Sequence, residues 1–334
     1  MKPLALFLLL LLTFPAWADF DDGLAAYKRG DYKVALQEFR PLAEQGLAEA
    51  QRNLGVMYLL GRGVSQDNAE AVAWFRRAAE QGHAGAQNSL GRLYVQGRGV
   101  PRDEAEAVAW FRRAVAQGDA SAQNNLGRMY ADGWGVPRDE AEAVAWYRRA
   151  VAQGLAGAQN NLGVMYLLGR GVPRDEAEAV AWFRRAVAQE DAGAQNNLGL
   201  IYADGRGVPR DEAEAVAWFR RAATQGYAGA QKKLGVMYLL GRGVPQENAE
   251  ALAWFRRAAT QGHAGAQRNL GVMYFQGMGM PRDFVQAHLW LNLAASQGYK
   301  DAIELRDQVA SQMASAQLTE ARSLKREWLE KHPL

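Results

Sequence analysis

Residues 156–191 read AGAQNNLGVMYLLGRGVPRDEAEAVAWFRRAVAQED, and this stretch decides the architecture. In its first half Ala158, Leu162, Met165 and Tyr166 fall at i, i+4, i+7 and i+8, one apolar stripe of a helix, here helix A. The cluster Gly169-Arg170-Gly171-Val172-Pro173-Arg174 then ends it, because Gly169 can take the left-handed conformation that closes a helix and Pro173 cannot continue one. Asp175 stands three residues before Glu178, the spacing at which the first side chain caps a helix N-terminus and the second reaches back. Helix B starts there. Ala177, Val180, Ala181, Trp182, Phe183 and Ala186 nearly encircle it, which predicts burial on two sides. Its acidic start and its later Arg184-Arg185 follow the order that the helix dipole favours. Gly163 and Ala158 are small where the two helices must approach, leaving Trp and Tyr to fill the remaining space.

The stretch is one copy of a unit. Trp74, Trp110, Trp146, Trp182, Trp218, Trp254 and Trp290 are each 36 residues apart, and the series from Leu54 to Leu270 and from Tyr58 to Tyr274 keep the same register without an insertion. A period of this size, carrying two helices, means a helix-pair solenoid in which each unit buries its apolar face on its neighbours. The cap recurs as Asp67/Glu70, Asp103/Glu106, Asp139/Glu142, Asp211/Glu214 and Asp283/Gln286, with Glu247 replacing the aspartate once. Capping accounts for these acidic pairs, so they are not assigned general acid-base work. Gly61/Gly63 and their counterparts follow no strand and precede no Gly-Lys-Ser/Thr, so turn chemistry rather than phosphate binding explains them. Glu190 stands where Gly82, Gly118, Gly154, Gly226, Gly262 and Gly298 end the other B helices.

The pattern A-x-A-Q-x-x-L-G-x-x-Y-x-x-G-x-G-V followed by A-x-x-W-F/Y-x-x-A resembles the Sel1-like repeat, a relative of the tetratricopeptide repeat. The resemblance implies an all-α fold, an α/α solenoid coiled as a right-handed superhelix with A helices lining the concave face. It also implies a scaffold for complexes, often in bacterial envelopes. Some secreted relatives linked to penicillin binding or β-lactam hydrolysis are stapled by cysteines that this chain lacks, so that activity is not carried over. The expected organisation is an export signal over 1–18, a tetratricopeptide-like helix pair over 19–46, seven repeats over 47–298 and capping helices over 299–334. Within the second segment Gly30-Asp31 is the expected turn and Pro41 is expected to kink the chain or start a new turn.

Composition narrows the function. Basic and acidic side chains number 39 and 36 and are spread through every repeat, so no block could track a phosphate backbone and nucleic acid is not an expected partner. With no cysteine there are no disulfides, thiolate metal sites or cysteine nucleophile, and no cofactor is expected. The apolar run from Leu4 to Pro15, with Lys2 before it and Ala16-Trp17-Ala18 after it, has the order of a secretory signal cleaved after Ala18. The mature chain is therefore expected to be exported, periplasmic or secreted, and not inserted in the membrane once the signal is cleaved. The four histidines, His83, His263, His288 and His332, form no zinc or triad motif, and no enzyme is expected.

The remaining candidates are the residues of helix A away from its core stripe, where a protein or peptide partner is expected to bind. In the seven units they are Arg52 and Val56, Asn88 and Arg92, Asn124 and Arg128, Asn160 and Val164, Asn196 and Leu200, Lys232 and Val236, and Arg268 and Val272. A third column, from Leu59 to Phe275, continues the stripe. These positions vary while the rest of the unit scarcely changes. They suit an extended peptide or a helix, with a basic middle from Arg92 and Arg128, or they are simply the least constrained sites. An envelope scaffold and a secreted factor that binds a host protein are the same module at two addresses. An enzyme acting on cell-wall material or β-lactams is the third class considered.

Overall fold

The computed structural model describes residues 16–332, with side chains from Phe20 onward. The apolar run of the expected export signal, Leu4 to Pro15, lies outside the described residues. Eighteen α-helices and no strand occur among the described residues, and they fall into two compact units, one ending at Gln153 and the other beginning at Gly154. The first unit holds α1 (Ala16–Arg29), α2 (Tyr32–Glu44), α3 (Ala48–Leu60), α4 (Asn68–Glu80), α5 (Ala84–Gln96), α6 (Glu104–Val115), α7 (Ala120–Asp132) and α8 (Glu140–Ala152). The second holds α9 (Ala156–Leu168), α10 (Glu176–Val187), α11 (Ala192–Asp204), α12 (Glu212–Thr224), α13 (Ala228–Leu240), α14 (Asn248–Thr260), α15 (Ala264–Gln276), α16 (Phe284–Ser296), α17 (Lys300–Ala310) and α18 (Ser315–Lys331). Each unit is an α/α solenoid: helix A packs on helix B of its own repeat, and helix B packs on the next helix A. No helix among the described residues is long and apolar enough to cross a membrane.

Local chemistry sets these boundaries. Oδ1 of Asp103, Asp139, Asp175, Asp211 and Asp283 accepts from the N–H three residues on at 2.9 Å. The return half of the expected capping box does not form. The N–H of Asp175 donates instead to the carbonyl of Tyr166, 3.0 Å away, and the same bond recurs in the other repeats, for example Asp103 to Tyr94 at 3.1 Å. That backbone bond pins the loop across the end of helix A and leaves the glutamate nothing to cap. Glu247, one methylene longer than aspartate, makes no side-chain cap, yet its N–H still bonds to Tyr238.

The glycine of helix A makes room for the residue after the tryptophan of helix B, phenylalanine in most repeats, Tyr147 facing Gly127 and Leu291 facing Gly271, and not for the tryptophan. A Cβ on Gly163 would lie 2.7 Å from the Phe183 ring, and one on Gly199 2.6 Å from Phe219, closer than carbon atoms approach. Phe183 is fully buried, and burial of such a side chain contributes about 1.5–3 kcal/mol. The tryptophans seal one repeat to the one before it: Trp110 of α6 joins the cluster of Phe75 and Leu90, and Trp254 of α14 that of Phe219 and Leu234. Within each unit the second glycine of the loop lets it dock on the preceding repeat, since a Cβ on Gly99 would lie 2.2 Å from the Asn68 carbonyl oxygen and one on Gly243 2.2 Å from that of Glu212.

Helix α2 runs through Pro41 to Glu44, with Gln45 donating to the Pro41 carbonyl at 3.0 Å. The expected new turn is absent because Pro41 falls in the last turn, where its missing N–H costs one bond to exposed Gln37. Glu190, with φ of 61°, is the one non-glycine residue at positive φ among the described residues. At the C-terminal end α18 lies on α16, with Trp328 edge-on to Trp290 at 6.4 Å and Lys325 donating to Asn292 at 3.1 Å.

Candidate partner-binding surface

Most polar side chains that recur in every repeat are engaged in holding repeats together. The first arginine of the Arg-Arg pair on helix B reaches the tyrosine of the next helix A: Arg76 donates to the Tyr94 hydroxyl at 2.7 Å, Arg220 to Tyr238 at 2.7 Å and Arg256 to Tyr274 at 2.6 Å. The second stacks on the tryptophan one turn earlier, as Arg77 does on Trp74 at 4.4 Å and Arg149 on Trp146 at 4.1 Å. Glutamines complete the joint. Gln267 is fully buried; its Nε2 donates to the Ala259 carbonyl at 3.2 Å and its Oε1 accepts from Gln297 at 2.9 Å. The same link joins Gln81 to Gln51 at 2.7 Å and Gln117 to Gln87 at 2.9 Å. Nothing in the helical pattern singles these glutamines out. Their trace in the sequence is a pair 30 residues apart that recurs in every unit.

In the first unit the stripe of variable residues divides by depth. Asn88 is only 9% exposed, and its Oδ1 accepts from Asn125 of the next A helix at 2.8 Å. Asn124 is half-buried, as is Arg52, which donates to Asn53 at 3.0 Å. Val56 is half-buried against the cluster of Phe75 and Leu90. Arg92 and Arg128, one turn further along their helices, are exposed. Arg128 stands 5.9 Å from the ring of Trp134, which Arg102 flanks at the same distance. Trp134 is 37% exposed and occupies a position that is arginine in five of the other six repeats and Met278 in the last; Arg98, for example, bonds to Asn68 at 3.1 Å. This repeat gives up a contact between repeats and gains a surface indole.

The second unit shows the same division. Oδ1 of half-buried Asn160 accepts from Asn197 at 2.8 Å, and Val164 and Leu200 are half-buried against the Phe183 and Phe219 clusters. Asn196 is 9% exposed and its Oδ1 has no partner. Lys232, Val236, Arg268 and Val272 are half-buried. Arg268 donates through Nη1 to Asn269 at 3.2 Å, while its Nε is buried without a partner.

The histidines serve the fold. Nδ1 of His83 accepts from Ala86 N–H at 3.4 Å and Nδ1 of His263 from Ala266 at 3.3 Å, so both cap an A helix. Burial holds both imidazoles below their usual range. His288 is 5% exposed with an unpaired Nδ1, and burial, then the charges of Arg306 and Arg322, lower it too. Among the described residues no group of three or more His, Cys, Asp or Glu is placed to hold a metal ion.

Fold and surface together define an all-α helix-pair repeat protein that displays its variable side chains on one helix of each pair. The Sel1 repeat model matches seven consecutive segments, residues 48–83, 84–119, 120–155, 156–191, 192–227, 228–263 and 264–299. The chain belongs to the Sel1 repeat family, whose repeats generally act in protein–protein interaction. Among solved structures it is similar to a Sel1 repeat protein from Oxalobacter formigenes, with 36% identity over 88% of this chain and 87% of that one and a TM-score of 0.61. It is also similar to a protective antigen of uropathogenic Escherichia coli strains with an SLR fold, at 31% identity, 95% and 84% coverage and a TM-score of 0.49. Yeast Tom70, at 14% identity, 93% and 67% coverage and a TM-score of 0.56, shares the fold alone. No curated protein sequence matches the chain.

Proposed function

We propose that this chain is an exported, non-enzymatic scaffold of the bacterial cell envelope that holds a protein or peptide partner on the variable stripe of its A helices. One observation carries the reading. The side chains that recur in every repeat are occupied by caps, latches and the glutamine links, whereas the stripe ends in exposed Arg92 and in exposed Arg128, which flanks exposed Trp134. Exposed guanidiniums next to an aromatic face suit a partner with carboxylate and apolar groups. Crosslinking followed by affinity capture with the chain from Asp19 to Leu334 tests it. The expected result is a specific partner whose capture weakens in the Arg92→Glu/Arg128→Glu variant while the melting curve stays intact. Undiminished capture by that variant removes the stripe of the first unit from the reading, and turnover of a cell-wall substrate without a captured partner removes the scaffold itself. Fractionation that leaves the protein in the cytoplasm removes the envelope address.

A further inference from the structure

In the second unit a ladder of asparagines stops abruptly. Asn160 on α9 accepts from Asn197 on α11. The next rung would join Asn196 to residue 233 and the one after that residue 232 to Asn269, but both 232 and 233 are lysine. Lys233, although a donor, does not reach the Oδ1 of Asn196, which is buried with no partner. A lysine ammonium has three donors and no lone pair, so Asn269 cannot donate to Lys232 and accepts from Arg268 instead. Nε of Arg268 is buried and unpaired as well. Helices α11 and α15 thus bring buried, unpaired polar atoms to either side of the two lysines of α13, at positions where other repeats hold mutually satisfied amides. Burial first, then the charges of Lys233 and Arg268, push the Lys232 ammonium below its usual range, and no acidic side chain opposes them. Like charges gathered in a half-buried place destabilise a fold until an anion joins them. The fold itself does not require them, since asparagine closes the rung elsewhere.

We propose that Asn196, Lys232, Lys233 and Arg268 form a subsite for an acidic peptide, with a peptide carboxylate between Lys232 and Arg268 and a peptide N–H donating to Asn196 Oδ1. This rests on the scaffold reading and names the chemistry of its partner. The unpaired acceptor selects among anions: a peptide carries a carboxylate and a donor together, whereas a phosphate diester offers acceptors only. Val236 and Val272, one turn along α13 and α15, give adjacent apolar surface for the side chains between the acidic ones.

Fluorescence anisotropy with a labelled peptide of alternating glutamate and leucine, and with its glutamine counterpart, tests the subsite on the full chain. The glutamate peptide binds at least about tenfold tighter, and raising the salt to about 0.5 M removes most of that advantage. The Lys232→Asn/Lys233→Asn variant, which supplies the missing rungs, loses that preference while its melting temperature stays equal or rises. Arg268→Asn weakens the glutamate peptide in the same direction. Equal affinity for the two peptides, an unchanged preference in the double variant, or tighter binding of a single-stranded oligonucleotide overturns the subsite. Any of these leaves the scaffold reading in place, because partner capture by crosslinking does not depend on these probes.

Discussion

Glu190 offers a direct measure of how strongly the turn between repeats is specified. It follows α10 with φ of 61°, a conformation that costs a residue with a Cβ about 1–2 kcal/mol. Its N–H bonds to the Val187 carbonyl at 2.8 Å, the same bond that Gly118 makes to Val115 at 2.9 Å, so the turn forms in spite of the strain. The carboxylate makes no hydrogen bond or ion pair among the described residues, and it sits at the negative end of a helix dipole. Glu190→Gly removes the strain, while the greater freedom of glycine in the unfolded chain gives back about 0.5–1 kcal/mol. The net gain is about 0.5–1 kcal/mol, or roughly 1–4 °C in melting temperature for a unit of this size. Thermal unfolding followed by circular dichroism, paired with urea titration, measures it. Gly118→Glu in the first unit is the reciprocal test: a Cβ there meets nothing within 4 Å, so the loss should mirror the gain. An unchanged or lower melting temperature for Glu190→Gly would refute the strain argument.

Gly163→Ala places a Cβ 2.7 Å from the Phe183 ring and should cost about 1–3 kcal/mol in urea denaturation through overpacking. Gln267→Leu removes one of two donors to the Ala259 carbonyl, which keeps the Gly262 N–H, and takes from Gln297 its acceptor; a loss of about 0.5–1.5 kcal/mol is expected by the same assay. His288 makes stability depend on pH. Its imidazole is held low in the folded state, so below about pH 6.5 the unfolded chain binds the extra proton first and stability falls with falling pH until the folded ring also titrates. Above that range it contributes no slope. His288→Val, the residue found at this position in most repeats, should flatten the decline between pH 7.5 and 5.5, and an equally steep decline in the variant would assign it to other groups.

The fold was legible because its signals are local and repeated. The Asp-x-x-Glu cap, the left-handed glycine of the loop and the apolar stripe each act within one or two turns of chain, and the period multiplies them. The half of the box that failed at Glu178 shows the limit: whether its carboxylate is needed depends on a carbonyl of Tyr166 brought back by the folded loop. The candidate surface was legible only as a column of varying letters. Asn88 and Arg92 belong to the same stripe of one helix, yet one is buried in a ladder and the other exposed.

The sequence by itself determined that there are helix pairs, where each begins and ends, and that the units stack. It could do so because helix capping, turn conformation and amphipathic spacing depend on residues a few positions apart. Only the tertiary structure decided that Phe183 fills the space above Gly163, that glutamines 30 residues apart bond to each other, and that the lysines of α13 interrupt a ladder. Those contacts join residues of different helices, and the distance between such residues is fixed by how the helices pack, which no single period of the sequence contains.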